Sequence, residues 1–310
     1  MRPSRRVALT GGLAALLGGR ALAGAPSDAT AVPAESDAAA RMTVEVRIDG
    51  KGPFRFLVDT GADRSVVADD VAATLGVPER TPLIVEGIAA TITAPAVRLT
   101  NLTFGPVALE HLRAPVLPRA ALGADGYLGL DAIDGHRVAL DFVKHELRIE
   151  AAHSRWGGDF AGFDTARVPV SGRGGKLVST GCDIDGALCS AFVDTGAEIT
   201  VGNLLLFEKL KADTGNDYLP GASVVMTGVT GGRVLGQLVN VGRVKLGSVE
   251  FDGCTLAICD LPIFDVWGIA DRPALLIGMN FLTRTQSMSI DYRRQEILFR
   301  VADARVASAA

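Results

Sequence analysis

Apolar and polar residues alternate in short runs along most of this chain, and the runs come in two matching series. The first opens with Thr43-Val44-Glu45-Val46-Arg47-Ile48, an alternation of period two, which predicts a strand with one buried face. Asp49-Gly50 follows, then an apolar segment over residues 54–58. A turn of that type between two apolar runs predicts a β-hairpin. The second series repeats the pattern with residues 177–184, Asp185-Gly186 and residues 188–193. Each second strand runs into the same tetrapeptide, Asp59-Thr60-Gly61-Ala62 in one half and Asp194-Thr195-Gly196-Ala197 in the other.

The match continues downstream. Asp69 or Asp70 can cap a short helix through Val71-Ala72-Ala73-Thr74-Leu75, stopped by Gly76, and Asn203 can cap another over residues 204–210. A turn-rich hairpin follows in each half, residues 85–92 with Ile88 and Ala89 near the tip, and residues 226–234 with Thr230, Gly231 and Gly232. Each half closes alike. Tyr127-Leu128-Gly129-Leu130-Asp131 answers Leu276-Ile277-Gly278-Met279-Asn280, and a last hairpin begins at Val138 or Met288. A period of about 140 residues is too long for a solenoid and suits a duplicated domain. Many short strands, 36 glycines and few helices predict an all-β molecule in two lobes, residues 41–160 and 161–305.

A lone Asp-Thr-Gly means little. A third copy, Asp213-Thr214-Gly215, has no apolar strand before it and reads as a helix end with Gly215 as its C-cap. Asp164-Thr165-Ala166 reads as a loop. Asp141 and Asp291 form another matched pair, each before an aromatic residue and a charged turn, and read as structural caps of the last hairpins. Asp63 and Glu198, one residue past each tetrapeptide, could either tune the two motif acids or be simply solvated, and solvation is the favoured reading.

Composition narrows the setting. Arg2, Arg5 and Arg6 precede an apolar run over residues 7–19, and Ala21-Leu22-Ala23 fits a cleavage site. Residues 1–23 therefore read as an export leader, of twin-arginine or general type, and the protein as periplasmic or secreted. Residues 24–40, rich in Ala, Pro, Ser and acids, read as a disordered spacer. No further apolar run is long enough for a membrane span, and a net charge of −4 speaks against nucleic acid. The four cysteines all lie in the second half. In an exported protein they suggest disulfides, Cys182–Cys189 across the hairpin and Cys254–Cys259, although four cysteines allow three pairings. Zinc is the weaker reading, because the spacing is not Cys-x-x-Cys and all four histidines lie in the first half. No metal or cofactor is expected.

With both Asp-Thr-Gly-Ala loops and both apolar-apolar-Gly segments in place, the chain resembles the pepsin/retropepsin aspartic proteases. Specifically, it resembles an exported bacterial member with two retropepsin-like lobes in tandem, over nearly all of residues 41–302. The resemblance implies that Asp59 and Asp194 are the catalytic dyad at the lobe interface. Thr60 and Thr195 would hold the loops together, while Gly61 and Gly196 would allow close approach and Ala62 and Ala197 would complete the loops. It also implies an apolar-apolar-Gly segment beneath each loop and a flap over the substrate, with the flap in question left open between the two hairpins. Two carboxyls at contact distance cannot both ionise, so one can take a proton from water while the other donates to the scissile carbonyl. Ala62 and Ala197 match retropepsins where pepsins carry a hydroxyl, which implies working pH nearer neutral than pepsin's. The expected partner is a peptide or protein bound as an extended strand to a monomer. The rival reading is a non-catalytic peptide-binding protein with the same fold, disfavoured because both carboxylates are intact.

Overall fold

A computed structural model describes residues 30–133, 135–151, 165–172, 176–215, 218–219 and 221–301. After β1 (Thr30–Ser36) comes β2 (Met42–Ile48), whose alternation buries Met42, Val44, Val46 and Ile48 and turns Glu45 and Arg47 outward. Asp49 and Gly50 both take positive φ, 50° and 77°, the backbone of a tight hairpin turn, and lead into β3 (Lys51–Val58). The lobe continues through β4 (Val66–Ala68), α1 (Asp69–Leu75), β5 (Glu79–Glu86), β6 (Thr91–Phe104) and β7 (Val107–Leu117). It ends with α2 (Arg119–Leu122), β8 (Gly126–Leu128), α3 (Leu130–Ile133), β9 (His136–Asp141) and β10 (Glu146–Ala151). Strands β2-β3-β8-β4-β7-β6 pair in that order, and a β2–β6 pairing closes them into a six-stranded barrel.

The second half repeats the plan. After β11 (Thr165–Pro169) come β12 (Val178–Ile184), β13 (Ala187–Val193), β14 (Val201–Gly202), α4 (Leu204–Thr214) and β15 (Ser223–Thr227). Next are β16 (Arg233–Leu246), β17 (Val249–Ile258), α5 (Ile263–Val266), β18 (Ala274–Ile277), α6 (Met279–Leu282), β19 (Ser287–Asp291) and β20 (Glu296–Arg300). Here β12-β13-β18-β14-β17-β16 form the barrel, closed by β12–β16. The molecule is thus all-β and bilobal. Closure leaves a barrel without free edges and seals its apolar side chains inside.

A third sheet joins the lobes, in the order β1-β10-β9-β19-β20-β11, three strands from each half. At its middle β9 and β19 are antiparallel, from Ser287 opposite Asp141 to Asp291 opposite Arg137. Arg137 is almost fully buried. Its guanidinium donates to Asp291 at 3.0 and 3.2 Å and to Glu150 at 2.7 Å. The charges are buried, so this pair is costly to break from one side. The two hairpin caps behave as the sequence suggests: Asp141 accepts from the Val143 and Lys144 amides, and Asp291 from the Arg294 amide.

Several expectations are corrected. The spacer is not disordered throughout, because Thr30–Ser36 forms β1, paired with β10 and β2, and buries Val32. Backbone pairing with distant strands orders a segment that has no apolar period of its own. Helix α1 is capped by Ala68 without a side-chain bond, while Asp69 and Asp70 stand in its first turn, where they complement the helix dipole. Asn203 does cap α4, accepting from the Leu206 amide at 2.9 Å, and Gly215 ends the helix at φ 64°. All four cysteines are free thiols. Cys182 and Cys189 are register partners without a bond between their sulfurs, and contact with Cys189 together with burial pushes the Cys182 thiol well up. Cys254 and Cys259 lie five positions apart along and just past β17, about 16 Å in an extended chain, well beyond disulfide reach. The proposed leader, residues 1–23, lies outside the described residues, as does most of the seam between the lobes. Among the described residues no helix is long and apolar enough to cross a membrane.

Candidate active site

Each Asp-Thr-Gly-Ala loop leaves the end of a barrel strand and turns back over the neighbouring strand. β3 runs parallel to β8 and β13 to β18, so Leu57 lies beside Tyr127 and Phe192 beside Leu276. The Asp59 amide donates to the Leu128 carbonyl and the Asp194 amide to the Ile277 carbonyl, both at 3.0 Å. Past the motif, the Leu130 amide donates to Ala62 and the Met279 amide to Ala197. The apolar-apolar-Gly segments thus run under the loops. A Cβ on Gly129 would come 2.8 Å from the Ala62 oxygen, and one on Gly278 2.9 Å from that of Ala197.

The two loops meet at the centre of the molecule. Thr60 Oγ1 donates to the Val193 carbonyl at 2.9 Å, and Thr195 Oγ1 to the Val58 carbonyl at 2.7 Å. Each threonine amide donates to the other hydroxyl at 3.1 Å. Both threonines are buried, so these bonds are made without competition from water. Each carboxylate lies against the opposite loop's glycine. A Cβ on Gly61 would stand 2.5 Å from Asp194 Cγ, and one on Gly196 2.5 Å from Asp59 Cγ. Any larger residue there would drive the carboxyls apart.

Asp59 and Asp194 are 8% and 7% exposed and hydrogen-bond to each other. Asp59 Oδ1 accepts from the Gly61 and Ala62 amides at 2.8 and 3.1 Å, and Asp194 Oδ1 from those of Gly196 and Ala197 at 2.8 and 3.2 Å. Burial raises both carboxyls. Asp59 is held back by the loop amides, by its bond to Asp194 and by the charge of Arg41. Asp194 is pushed up further by the charge of Asp59. Such a pair shares one proton and titrates as a unit.

The two hairpin tips, one from each lobe, touch each other. The β5–β6 turn is closed by Gly87 N–H to Ala90, and the β15–β16 turn, one residue longer, by Gly228 N–H to Gly232. Thr230 Oγ1 donates to the Ala90 carbonyl at 3.0 Å across the seam. Close approach demands glycine here. A Cβ on Gly87 would collide with Thr230 Oγ1, and one on Gly232 would meet Ala90 Cβ at 2.8 Å. Ile88 reaches over to the second lobe, against Gly228 and that lobe's apolar cluster. Ala89 faces Gly232, and Gly231 sits at the open tip at φ 81°.

Other residues near the loops escape sequence reasoning. Ser65 and Thr200 each accept a glycine amide, from Gly129 or Gly278, at 3.1 Å. They donate in turn to Asp131 at 2.7 Å and to Asn280 at 2.8 Å, so the unlike pair Asp131 and Asn280 does the same structural work. Asp63 is not simply solvated, since Lys176 of the other lobe pairs with it at 3.1 Å. Arg41 bonds to Tyr127 Oη at 3.4 Å and to the Gly196 carbonyl at 3.3 Å. The missed signal was a basic residue just before the first strand of each half. Among the described residues no His, Cys, Asp and Glu cluster has the makings of a metal site.

A search of curated proteins finds no match to the chain. A family model described as aspartyl protease matches it twice, over residues 44–132 and 180–281. Each match covers one barrel, and the two together span more than half of the sequence. The chain belongs to the aspartyl protease family, as a two-lobed, retropepsin-like member.

Proposed function

We propose that the protein is an aspartic endopeptidase whose catalytic dyad is Asp59 and Asp194. The observation that carries this is the pair of buried, mutually bonded carboxyls, each pinned by two amides of its own loop and packed on the glycine of the opposite loop. The ionised carboxylate takes a proton from water as the water oxygen bonds to the scissile carbon, and its protonated partner donates to the carbonyl oxygen. The first carboxyl then gives its proton to the amide nitrogen as the C–N bond breaks. The new hydroxyl proton returns to the second, and the starting state is restored. The substrate binds as an extended strand between dyad and flaps. One chain supplies both carboxyls, so the working form is a monomer. We also propose export, with residues 1–23 as the leader, testable by locating the processed chain in cell fractions.

Cleavage of a peptide library by the mature protein, scanned across pH, tests the activity. Asp59→Asn is expected to abolish cleavage while the protein still unfolds cooperatively. Peptide binding without cleavage by the wild type would sink the enzymatic reading and leave a binding protein. Full turnover in the Asn variant would move the chemistry elsewhere.

A further inference from the structure

The loops are nearly two-fold symmetric, but the charges around them are not. Thr43 on β2 lies opposite Leu57, two residues before Asp59, and Val178 on β12 lies opposite Phe192, two before Asp194. By that register Arg41 and Lys176 are counterparts, each two residues before the strand residue so paired. Tyr127 and Leu276 are counterparts likewise.

The counterparts do different things. Lys176 crosses to the other lobe and is neutralised there by Asp63, with a second contact to the Val266 carbonyl at 3.4 Å. Arg41 crosses in the opposite direction and does not meet an acid of that lobe. Its guanidinium touches the carbonyl of Gly196, the residue packed on the Asp59 carboxyl. It is held in place from behind by Asp37, at 2.7 Å through both Nε and a terminal nitrogen, and from the side by the Tyr127 phenol. Tyr127 is itself buried and anchored to the Leu122 carbonyl at 2.9 Å. Burial pushes the phenol up to about 12, so it is a neutral partner at any working pH. Each side therefore carries an ion pair, Arg41 with Asp37 and Lys176 with Asp63, but on the Asp59 side both members come from the first lobe and the guanidinium reaches the Gly196 carbonyl beside a phenol, where the Asp194 side has a leucine.

We propose that Arg41 is a positioning residue that breaks the symmetry of the dyad, keeping the shared proton on Asp194 and leaving Asp59 as the carboxylate that takes the proton from water. This rests on the endopeptidase reading for its chemistry, although the location of the proton does not. A cation favours the ionised form of the nearer carboxyl; burial raises Asp59, and the charge of Arg41 is among the influences that hold it back. The groups about the dyad are Arg41 with its partner Asp37 and Tyr127 from the first lobe, and the Lys176–Asp63 pair at the interface. Beneath the Asp59 loop Asp131 spends its carboxylate on Ser65. Any charge there acts on Asp59 against Arg41, so the bias is the net of the two.

Two readouts test this. In protein labelled at the aspartate carboxyl carbons, with Asp59 and Asp194 assigned through their Asn variants, the first ionisation on raising pH is expected at Asp59. In Arg41→Gln that step moves to higher pH and divides between the two carbons, while Arg41→Lys keeps the wild-type order. In kinetics, the acid limb of the kcat/KM profile moves to higher pH in Arg41→Gln. At a fixed pH on that limb kcat/KM falls roughly three- to tenfold, with the plateau within about twofold. Arg41→Lys restores the limb. Asp37→Asn, which removes the anion that offsets the guanidinium while Arg41 keeps its charge, moves the limb the opposite way, to lower pH, and serves if Arg41→Gln does not fold. A first ionisation at Asp194, or a limb that Arg41→Gln leaves in place, overturns the proposal. Because the carbon titration needs no turnover, the expected order in a protein that cleaves nothing would refute the endopeptidase reading alone.

Discussion

The two lobes are built alike where the chemistry needs a pair and differ where something acts on one member of it. Both supply an Asp-Thr-Gly-Ala loop, a glycine against the opposite carboxyl, a hydroxyl beneath the loop and a hairpin tip at the interlobe contact. They part at Tyr127 against Leu276, at Asp131 against Asn280, and in flap turns of unequal length. They part again in the joining sheet, where Arg137 faces Asp291 but the symmetric place sets Ser287 opposite Asp141. A homodimer would have to carry every such residue twice. A single chain can keep the shared machinery and let one side become the acid and the other the base.

The largest effect should come from the shared part. Asp59→Asn and Asp194→Asn are each expected to lower kcat by about a thousandfold or more in a peptide-cleavage assay, within the range of a lost acid or base. A variant within tenfold of wild type would break the equivalence of the lobes. Next comes the asymmetric ion pair. Arg137→Met removes the buried cation from between Asp291 and Glu150 and should cost about 3–5 kcal/mol in urea unfolding. Asp141→Ala, at the symmetric position, should cost only about 1 kcal/mol for its lost turn bonds; equal costs would mean that the sheet is not biased to one side.

The flaps give a smaller effect. Gly87→Ala places a methyl on Thr230 and should oppose closure by about 1–3 kcal/mol, read as a loss in kcat/KM of roughly tenfold at 1.4 kcal/mol. Adding Thr230→Gly should recover most of it, and no recovery would separate the flap seam from turnover. The smallest effect concerns stability and pH. The folded state raises both dyad carboxyls above the unfolded value of 3.8, so it holds more protons than the unfolded state above that pH. Stability is then full below 3.8 and falls as pH rises through the folded values. Asp194→Asn removes the larger part of that fall. It should melt higher than wild type at neutral pH and lose the advantage in acid, with Asp59→Asn following by a smaller margin.

Much of this was legible in the chain. The strands and turns flanking each loop carry their own local code, period-two burial and Asp-Gly turns, and the duplication vouches for a motif too short to stand alone. What escaped was set at long range. Thr30–Ser36 has no apolar period and is ordered by strands that lie on either side of the barrel sequence. The β9–β19 pairing joins residues about 150 positions apart with no cue in either strand. Arg41 and Lys176 look alike in sequence, and only the partners met across the interface distinguish them. The cysteines mislead for a related reason. An even count says nothing about whether two thiols lie on one extended strand, as Cys254 and Cys259 do within a step of its end.

The sheet that joins the lobes also changes what a peptide bond between them is for. Strands β1, β10 and β9 end before residue 152, and β11, β19 and β20 begin at Thr165 or later. The halves are therefore held by the β9–β19 ladder and the loops' threonine bonds, with covalent continuity as a convenience of synthesis. Cut within residues 152–164, the protein should remain one particle. Expressed as two pieces divided there, it should assemble as an obligate heterodimer, each piece useless without the carboxyl of the other.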